Sequence, residues 1–259
     1  MLGHFDYSNA IVRTPGRSVI NGIRKGGGPD PDFGALLTEH RAYVACLQAL
    51  GLVVEVLPAS ENFPDSIFVE DPALVFAEGA IVLNLAATGR AGEAALIAPE
   101  LESRFDRVLH MQGPGHADGG DVLVLPDKVL IGLSGRTDCE GAQELVSLLA
   151  QLGKRGEIAE TPPGVLHFKT GCSLIDEETV FALPQMAELS VFSSLRIVPV
   201  PEGEYGAANK LRICDAALVA AHYPKSREII EGLGVRTIPL DVKQIGLIDA
   251  GLSCMSLRW

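Results

Sequence analysis

Pairs of short apolar runs, each split by an acidic or proline turn, recur along this 259-residue chain, and that repetition constrains the fold most. Ser66-Ile67-Phe68-Val69 turns at Glu70-Asp71-Pro72 into Ala73-Leu74-Val75-Phe76. Asp121 to Leu125 turns at Pro126-Asp127-Lys128 into Val129-Leu130-Ile131. Cys172 to Ile175 turns at Asp176-Glu177-Glu178 into Val180-Phe181-Ala182, and Lys210 to Ile213 turns at Cys214-Asp215 into Ala216 to Val219. Ahead of each pair stands a small, polar or ionisable residue: Asp65, Asp118, His167, Asn209. A last half-unit, Gly251-Leu252-Ser253-Cys254, is placed to pair with an N-terminal strand read over Tyr7 to Arg13. With Cys254 as the fifth marker, successive markers lie 53, 49, 42 and 45 residues apart. Helical periodicity begins at Asp32 and stops at Gly51, then recurs at Glu93 to Phe105, Glu140 to Leu152 and Lys225 to Leu233.

Five hairpin-plus-helix units of about 50 residues suit a closed ring better than an open array, which needs a longer chain. The expected fold is α/β, a single domain over residues 1–259 with pseudo-fivefold symmetry, its markers converging on the ring axis. An ordinary α/β sheet with coincidental spacing stays open on the pattern alone.

Charge narrows the partners. Asp+Glu number 33 against 21 Lys+Arg, a net charge of −12, which disfavours nucleic acid and anionic membranes and suits a cationic small molecule. No run reaches the roughly 18 apolar residues of a membrane span, and Met1 to Asp6 lacks a signal peptide's basic flank and apolar stretch. The expected compartment is the cytoplasm. The five cysteines, Cys46, Cys139, Cys172, Cys214 and Cys254, are scattered, with no Cys-x-x-Cys and no zinc-like Cys/His spacing. Phosphate-cradling glycine motifs are absent too, so neither a metal nor a nucleotide cofactor is expected.

If the units are equivalent, Asp65, Glu70, Asp71, Asp118, His167 and Cys254 approach one centre. A thiol and an imidazole are the minimum for nucleophilic chemistry at an acyl or amidine carbon, and surplus carboxylate calls for a cationic substrate. Asp65 and Asp71 are six apart, which would place both on one face of an extended segment. Paired carboxylates match a planar guanidinium, although an acidic surface turn reads equally well. In Asp118-Gly119-Gly120-Asp121 the glycines allow close approach of backbone to a ligand, and the ligand ladder of a calcium loop is missing. The glycine-rich stretch through Gly26-Gly27-Gly28-Pro29-Asp30 is either a lid or a plain connection.

Several segments together resemble the dimethylarginine dimethylaminohydrolase family of the guanidino-modifying pentein superfamily. They are Arg13-Thr14-Pro15, Phe63 to Pro72, Asp118 to Val122, Ser134-Gly135-Arg136-Thr137, Leu166 to Gly171, Ala208-Asn209 and Gly251 to Ser256, in order along nearly the whole chain. The resemblance implies a five-bladed α/β propeller, Cys254 as nucleophile, His167 as general acid/base, and Asp118 as the acid that orients His167. It implies that Asp65, Glu70 and Asp71 bind the guanidinium and amino end of the substrate, that Arg90 and Arg136 hold its carboxylate, and that Ile23 touches it from a lid loop. It also implies hydrolysis of N-omega-methylated arginines to citrulline and dimethylamine or methylamine, through a covalent S-alkylthiouronium, without cofactor, in a homodimer. Arginine or agmatine deiminase activity and non-catalytic arginine binding are the alternatives. Both Cys254 and His167 would be idle in a binder, and both arginines idle toward agmatine, which has no carboxylate.

Overall fold

A computed structural model of the chain describes residues 3–24, 26 and 28–259. Along the chain run β1 (Asn9–Arg13), α1 (Phe33–Ala49), β2 (Val53–Leu57), β3 (Ala73–Phe76), β4 (Gly79–Val82), α2 (Glu93–Glu102) and β5 (Val108–His110). Next come β6 (Val122–Val124), β7 (Val129–Leu133), α3 (Cys139–Gln151), β8 (Gly156–Glu160), α4 (Phe168–Gly171), β9 (Cys172–Asp176), β10 (Thr179–Ala182), α5 (Pro184–Ala187) and β11 (Arg196–Pro199). The chain finishes with β12 (Leu211–Ile213), β13 (Ala216–Ala220), α6 (Pro224–Gly232), β14 (Arg236–Leu240), α7 (Lys243–Gly246) and β15 (Leu257–Arg258).

These strands form five three-stranded sheets, all built alike: two antiparallel strands, then a third parallel to the second and reached through helical turns. The α/β class and the fivefold repeat of the unit are therefore those expected. A parallel neighbour cannot be reached by a tight turn, which is why each unit needs a helical crossover between its second and third strands.

One compact unit comprises residues 1–69 and 210–259. It holds the sheets β15-β1-β2 and β12-β13-β14. Asp32 caps α1, its carboxylate accepting from Ala35 N at 2.6 Å, and Leu36, Tyr43 and Leu47 bury one helix face. Those side chains pack with Val12, Ile67, Ile213, Leu218, Ile245 and Met255 in a single core. Glu39 accepts from Gln244 N and Ile245 N, tying the start of α7 to α1.

The other unit comprises residues 70–209, with sheets β3-β4-β5, β6-β7-β8 and β9-β10-β11. Its core gathers Leu74, Ile81, Val122, Ile131, Leu145 and Leu149. Asp138 caps α3 by accepting from Gly141 N at 2.8 Å.

Three of the hairpins fall where the sequence puts them. The first does not: residues 66–69 are a run of turns, and the hairpin is β3–β4, reversing at Ala77-Glu78. Gly79 makes that reversal possible, with φ +148 and a position where a Cβ would stand 2.5 Å from the Arg107 carbonyl. The C-terminal half-unit also shifts, since Ile11 pairs with Leu257 while 252–255 form turns. Of the glycine-rich stretch, Gly27 lies outside the described residues, and the part before it contains a 3-10 turn at Arg17–Asn21.

Candidate active site

Asp71, Asp118 and His167 each stand just ahead of the first strand of a sheet in the unit 70–209, at β3, β6 and β9. The repeat therefore delivers three ionisable side chains to equivalent places, and all three are buried. Asp71, rather than Asp65, is the marker of the β3 hairpin. The two acids are not partners on one extended face, because the segment joining them is turns.

Arg90 holds Asp71. Its Nη1 donates to Asp71 Oδ2, while Nε and Nη2 donate to Glu93 Oε1 and Oε2 at 3.0 and 2.7 Å, a bidentate fork. The guanidinium is thus engaged by two buried carboxylates, Asp71 and Glu93. Asp71 Oδ1, by contrast, is buried without a hydrogen-bond partner among the described residues. A buried acceptor left unsatisfied is costly, and it is the feature expected of an oxygen that awaits a donor from a ligand. Burial first, then the charge of Asp118, pushes the Asp71 carboxyl up to about 7 against the pull of Arg90 and His167.

His167 Nε2 lies 3.4 Å from Asp118 Oδ2, an ion-pair separation at which Nε2 makes no well-directed hydrogen bond. Burial acts to lower the imidazole, but Asp118, then Asp71 and Asp121, more than reverse it and raise His167 to about 9. Burial likewise acts to raise Asp118; the His167 charge, Arg90 and the Gly120 N–H outweigh it and hold that carboxyl well below the usual range. Free of ligand, this cluster carries an imidazolium at neutral pH.

The backbone around the histidine is fixed by Asp121, which is fully buried. Its Oδ2 accepts from Ser134 Oγ at 2.6 Å and Thr137 Oγ1 at 2.7 Å, and its Oδ1 accepts from Phe168 N at 2.8 Å. One carboxylate therefore anchors the residue next to His167 and both hydroxyls of the Ser134-Gly135-Arg136-Thr137 turn. Thr137 Oγ1 also accepts from Asp118 N at 3.1 Å. Gly120 must be glycine here, since a Cβ would approach His167 Nδ1 to 2.8 Å. Glu70 is paired with Lys169, Nζ to Oε1 at 2.7 Å. Arg136 is half-buried, its backbone N donating to Ser134 Oγ at 2.9 Å.

In the unit formed by 1–69 and 210–259, Asp65 is buried and its carboxylate accepts from Ile23 N at 3.0 and 3.2 Å. Glu61 accepts from Arg17 N and Ser18 N at 2.9 and 2.8 Å. Two carboxylates four residues apart thus hold the turn at 17–21 and the residues after it, while the Ile23 side chain is 41% exposed. Cys254 is 8% exposed in the turn that precedes β15.

Sequence reading missed Asp121, Thr137, Glu93 and Lys169 as supports. The Asp-Gly-Gly-Asp and Ser-Gly-Arg-Thr motifs carried a signal for the first two, whereas Glu93 and Lys169 were marked by nothing but charge. Among the described residues no group of His, Cys, Asp and Glu is placed to hold a metal ion, and no helix is long and apolar enough to cross a membrane.

A family model described as arginine deiminase matches residues 59–211. The N(G),N(G)-dimethylarginine dimethylaminohydrolase of Pseudomonas aeruginosa is 34% identical, over 98% of this chain and 100% of its own. That of Streptomyces coelicolor is 33% identical over 96% of each. Among solved structures, the Pseudomonas aeruginosa enzyme as a Cys-to-Ser mutant complexed with citrulline superposes with a TM-score of 0.95, covering 98% of this chain and 100% of that one.

Proposed function

The chain belongs to the dimethylarginine dimethylaminohydrolase family, and on that premise we propose how its residues carry the reaction. It hydrolyses N-omega-methylated arginines, asymmetric dimethylarginine and monomethylarginine, to citrulline and dimethylamine or methylamine. The observation that carries this reading is the buried Asp71 carboxylate, with one oxygen on Arg90 and the other unpartnered, in the electrostatic field of His167 and Asp118. A guanidinium donating to Asp71 Oδ1 would satisfy that oxygen and favour the ionised carboxylate.

Resonance makes a guanidinium carbon a poor electrophile, so its plane must be fixed with one face open to attack. Asp71 and Asp65, with Glu70, bind the guanidinium and amino end; Arg136 and Arg90 meet the carboxylate, and Ile23 contacts the substrate from the loop that Asp65 tethers. Cys254 attacks as thiolate, forming the C–S bond and a tetrahedral adduct. His167, charged at neutral pH, gives its proton to the departing dimethylamine nitrogen as the C–N bond breaks. The remaining S-alkylthiouronium is attacked by water, whose proton returns to His167; cleavage of C–S then releases citrulline and regenerates the thiolate. Asp118 orients His167 throughout and favours its charged form. In this reading residues 1–259 act as one catalytic domain, in a cytoplasmic homodimer.

Acid quenching of the wild-type protein during turnover of asymmetric dimethylarginine, followed by mass spectrometry, tests the covalent step. An adduct on the peptide bearing Cys254 is expected. Adduct on another cysteine, with Cys254→Ser still active, would overturn the assignment.

A further inference from the structure

Beyond these roles stands a group of residues that touches no substrate in the scheme above. The turn carrying Cys254 has little regular structure of its own: residues 252–255 are turns, and β15 that follows is two residues long. Yet a nucleophile must be held to a fraction of an ångström, since a displacement of about 1 Å can cost on the order of 10²-fold in rate. Arg258 ties this turn together. Its Nη1 donates to Ser253 O at 3.0 Å, to Ser256 O at 2.6 Å and to Ser256 Oγ at 2.6 Å. The two carbonyls bracket Cys254 and Met255, so one nitrogen closes the turn on both sides of the thiol.

The staple is itself anchored. Ser256 Oγ lies 2.6 Å from the Tyr43 hydroxyl, and both residues are wholly buried. Tyr43 projects from the inner face of α1, the longest helix, and Met255 packs into the same core. Arg258 is held from its own side by β15, where it pairs with Ala10 of β1. A lysine could supply the charge but not the rigid guanidinium plane that aims Nη1 at its acceptors.

We infer that Arg258, with Ser256 and Tyr43, is a positioning assembly that sets the Cys254 thiol for attack, acting through the backbone of the turn and not on the substrate. The inference rests on Cys254 being the nucleophile. Loosening the turn should therefore lower kcat and leave KM nearly unchanged, because the groups that bind substrate are elsewhere.

The test compares Arg258→Met, Arg258→Lys, Ser256→Ala and Tyr43→Phe in the full-length protein, with Cys254→Ser alongside. Steady-state kinetics with asymmetric dimethylarginine are measured together with the rate of Cys254 alkylation by iodoacetamide across pH, read by peptide mass spectrometry, with exposed Cys139 as internal reference. Expected is a fall in kcat on the order of tenfold to 10²-fold for Arg258→Met, a smaller fall for Ser256→Ala and Tyr43→Phe, and partial recovery in Arg258→Lys. The alkylation rate of Cys254 should change in the same order while Cys139 stays constant. If Arg258→Met does not fold, the three milder variants carry the comparison. Unchanged kcat and unchanged Cys254 alkylation in the folded variants would overturn the inference, as would a loss confined to KM. Turnover persisting in Cys254→Ser would instead remove the proposed nucleophile, a separate failure.

Discussion

Replacing Asp118 by Asn should move the whole pH profile rather than merely lower it. Asn keeps an acceptor for Gly120 N, now bonded at 2.8 Å, but removes the charge 3.4 Å from His167 Nε2. The rise of His167 from 6.5 to about 9 favours the imidazolium by roughly 3 kcal/mol, at 1.36 kcal/mol per pH unit, as an order of magnitude. Burial opposes that rise and Asp118 leads the charges that cause it. Without Asp118 the imidazole should fall well below 9, because burial then meets less opposing charge. Asp71 should fall too, from about 7, because Asp118 is one of the groups that raise it. Wild-type kcat/KM is expected to be bell-shaped, with limbs near 7 and 9 that belong to the coupled cluster. In Asp118→Asn both limbs should shift to acid, so activity near pH 7.5 drops by about tenfold to a hundredfold and partly recovers as pH is lowered. Citrulline formation from asymmetric dimethylarginine between about pH 5 and pH 10, with NMR titration of the His167 ring, reads this directly. An alkaline limb still near 9 in the variant would refute the reasoning.

Other outcomes follow from single contacts. Because His167 has a raised pKa in the folded state, its stabilising contribution is complete below 6.5 and lost as pH rises through about 9, so the thermal midpoint should fall across that window and Asp118→Asn should flatten the fall. Gly120→Ala should displace the His167 ring and cost on the order of 10²-fold in kcat, with an intact circular-dichroism spectrum; near-wild-type turnover would show that the ring position does not matter. Asp65→Ala removes the acceptor for Ile23 N and should raise KM more than it lowers kcat, which a Michaelis analysis settles. Arg136→Ala should narrow the preference for asymmetric dimethylarginine over agmatine about tenfold to a hundredfold, the loss of one charge-assisted contact; an unaltered ratio would take Arg136 out of carboxylate binding.

How much of this was legible in the sequence depended on whether a turn signal stood at the turn. Pro126-Asp127-Lys128 and Asp176-Glu177-Glu178 announced their hairpins, and the strands lie within two residues of the reading. Residues 66–69 misled because a buried apolar run reads the same whether it is a strand or a sequence of packed turns; here Ser66 N and Phe68 N close local turns on Phe63 O and Asp65 O. The true reversal at Ala77-Glu78, just before Gly79, carried no proline and no Asn-Gly or Asp-Gly pair to mark it. At the site, the chemically demanding residues stood out by type and recurrence. Their supports did not, because nothing in spacing shows that Glu93 neutralises Arg90 or that Asp121 holds the N–H after His167. Asp65 was legible as an acid, yet its observed work on the Ile23 backbone depends on a contact 42 residues away along the chain.

The most direct test offers asymmetric dimethylarginine and arginine to the protein separately at equal concentration and measures citrulline, dimethylamine and ammonia in each. Citrulline and dimethylamine in equal amounts from the methylated substrate, with slower ammonia release from arginine, is the expected result. Ammonia from arginine outpacing dimethylamine would contradict it and make the chain an arginine deiminase on this fold.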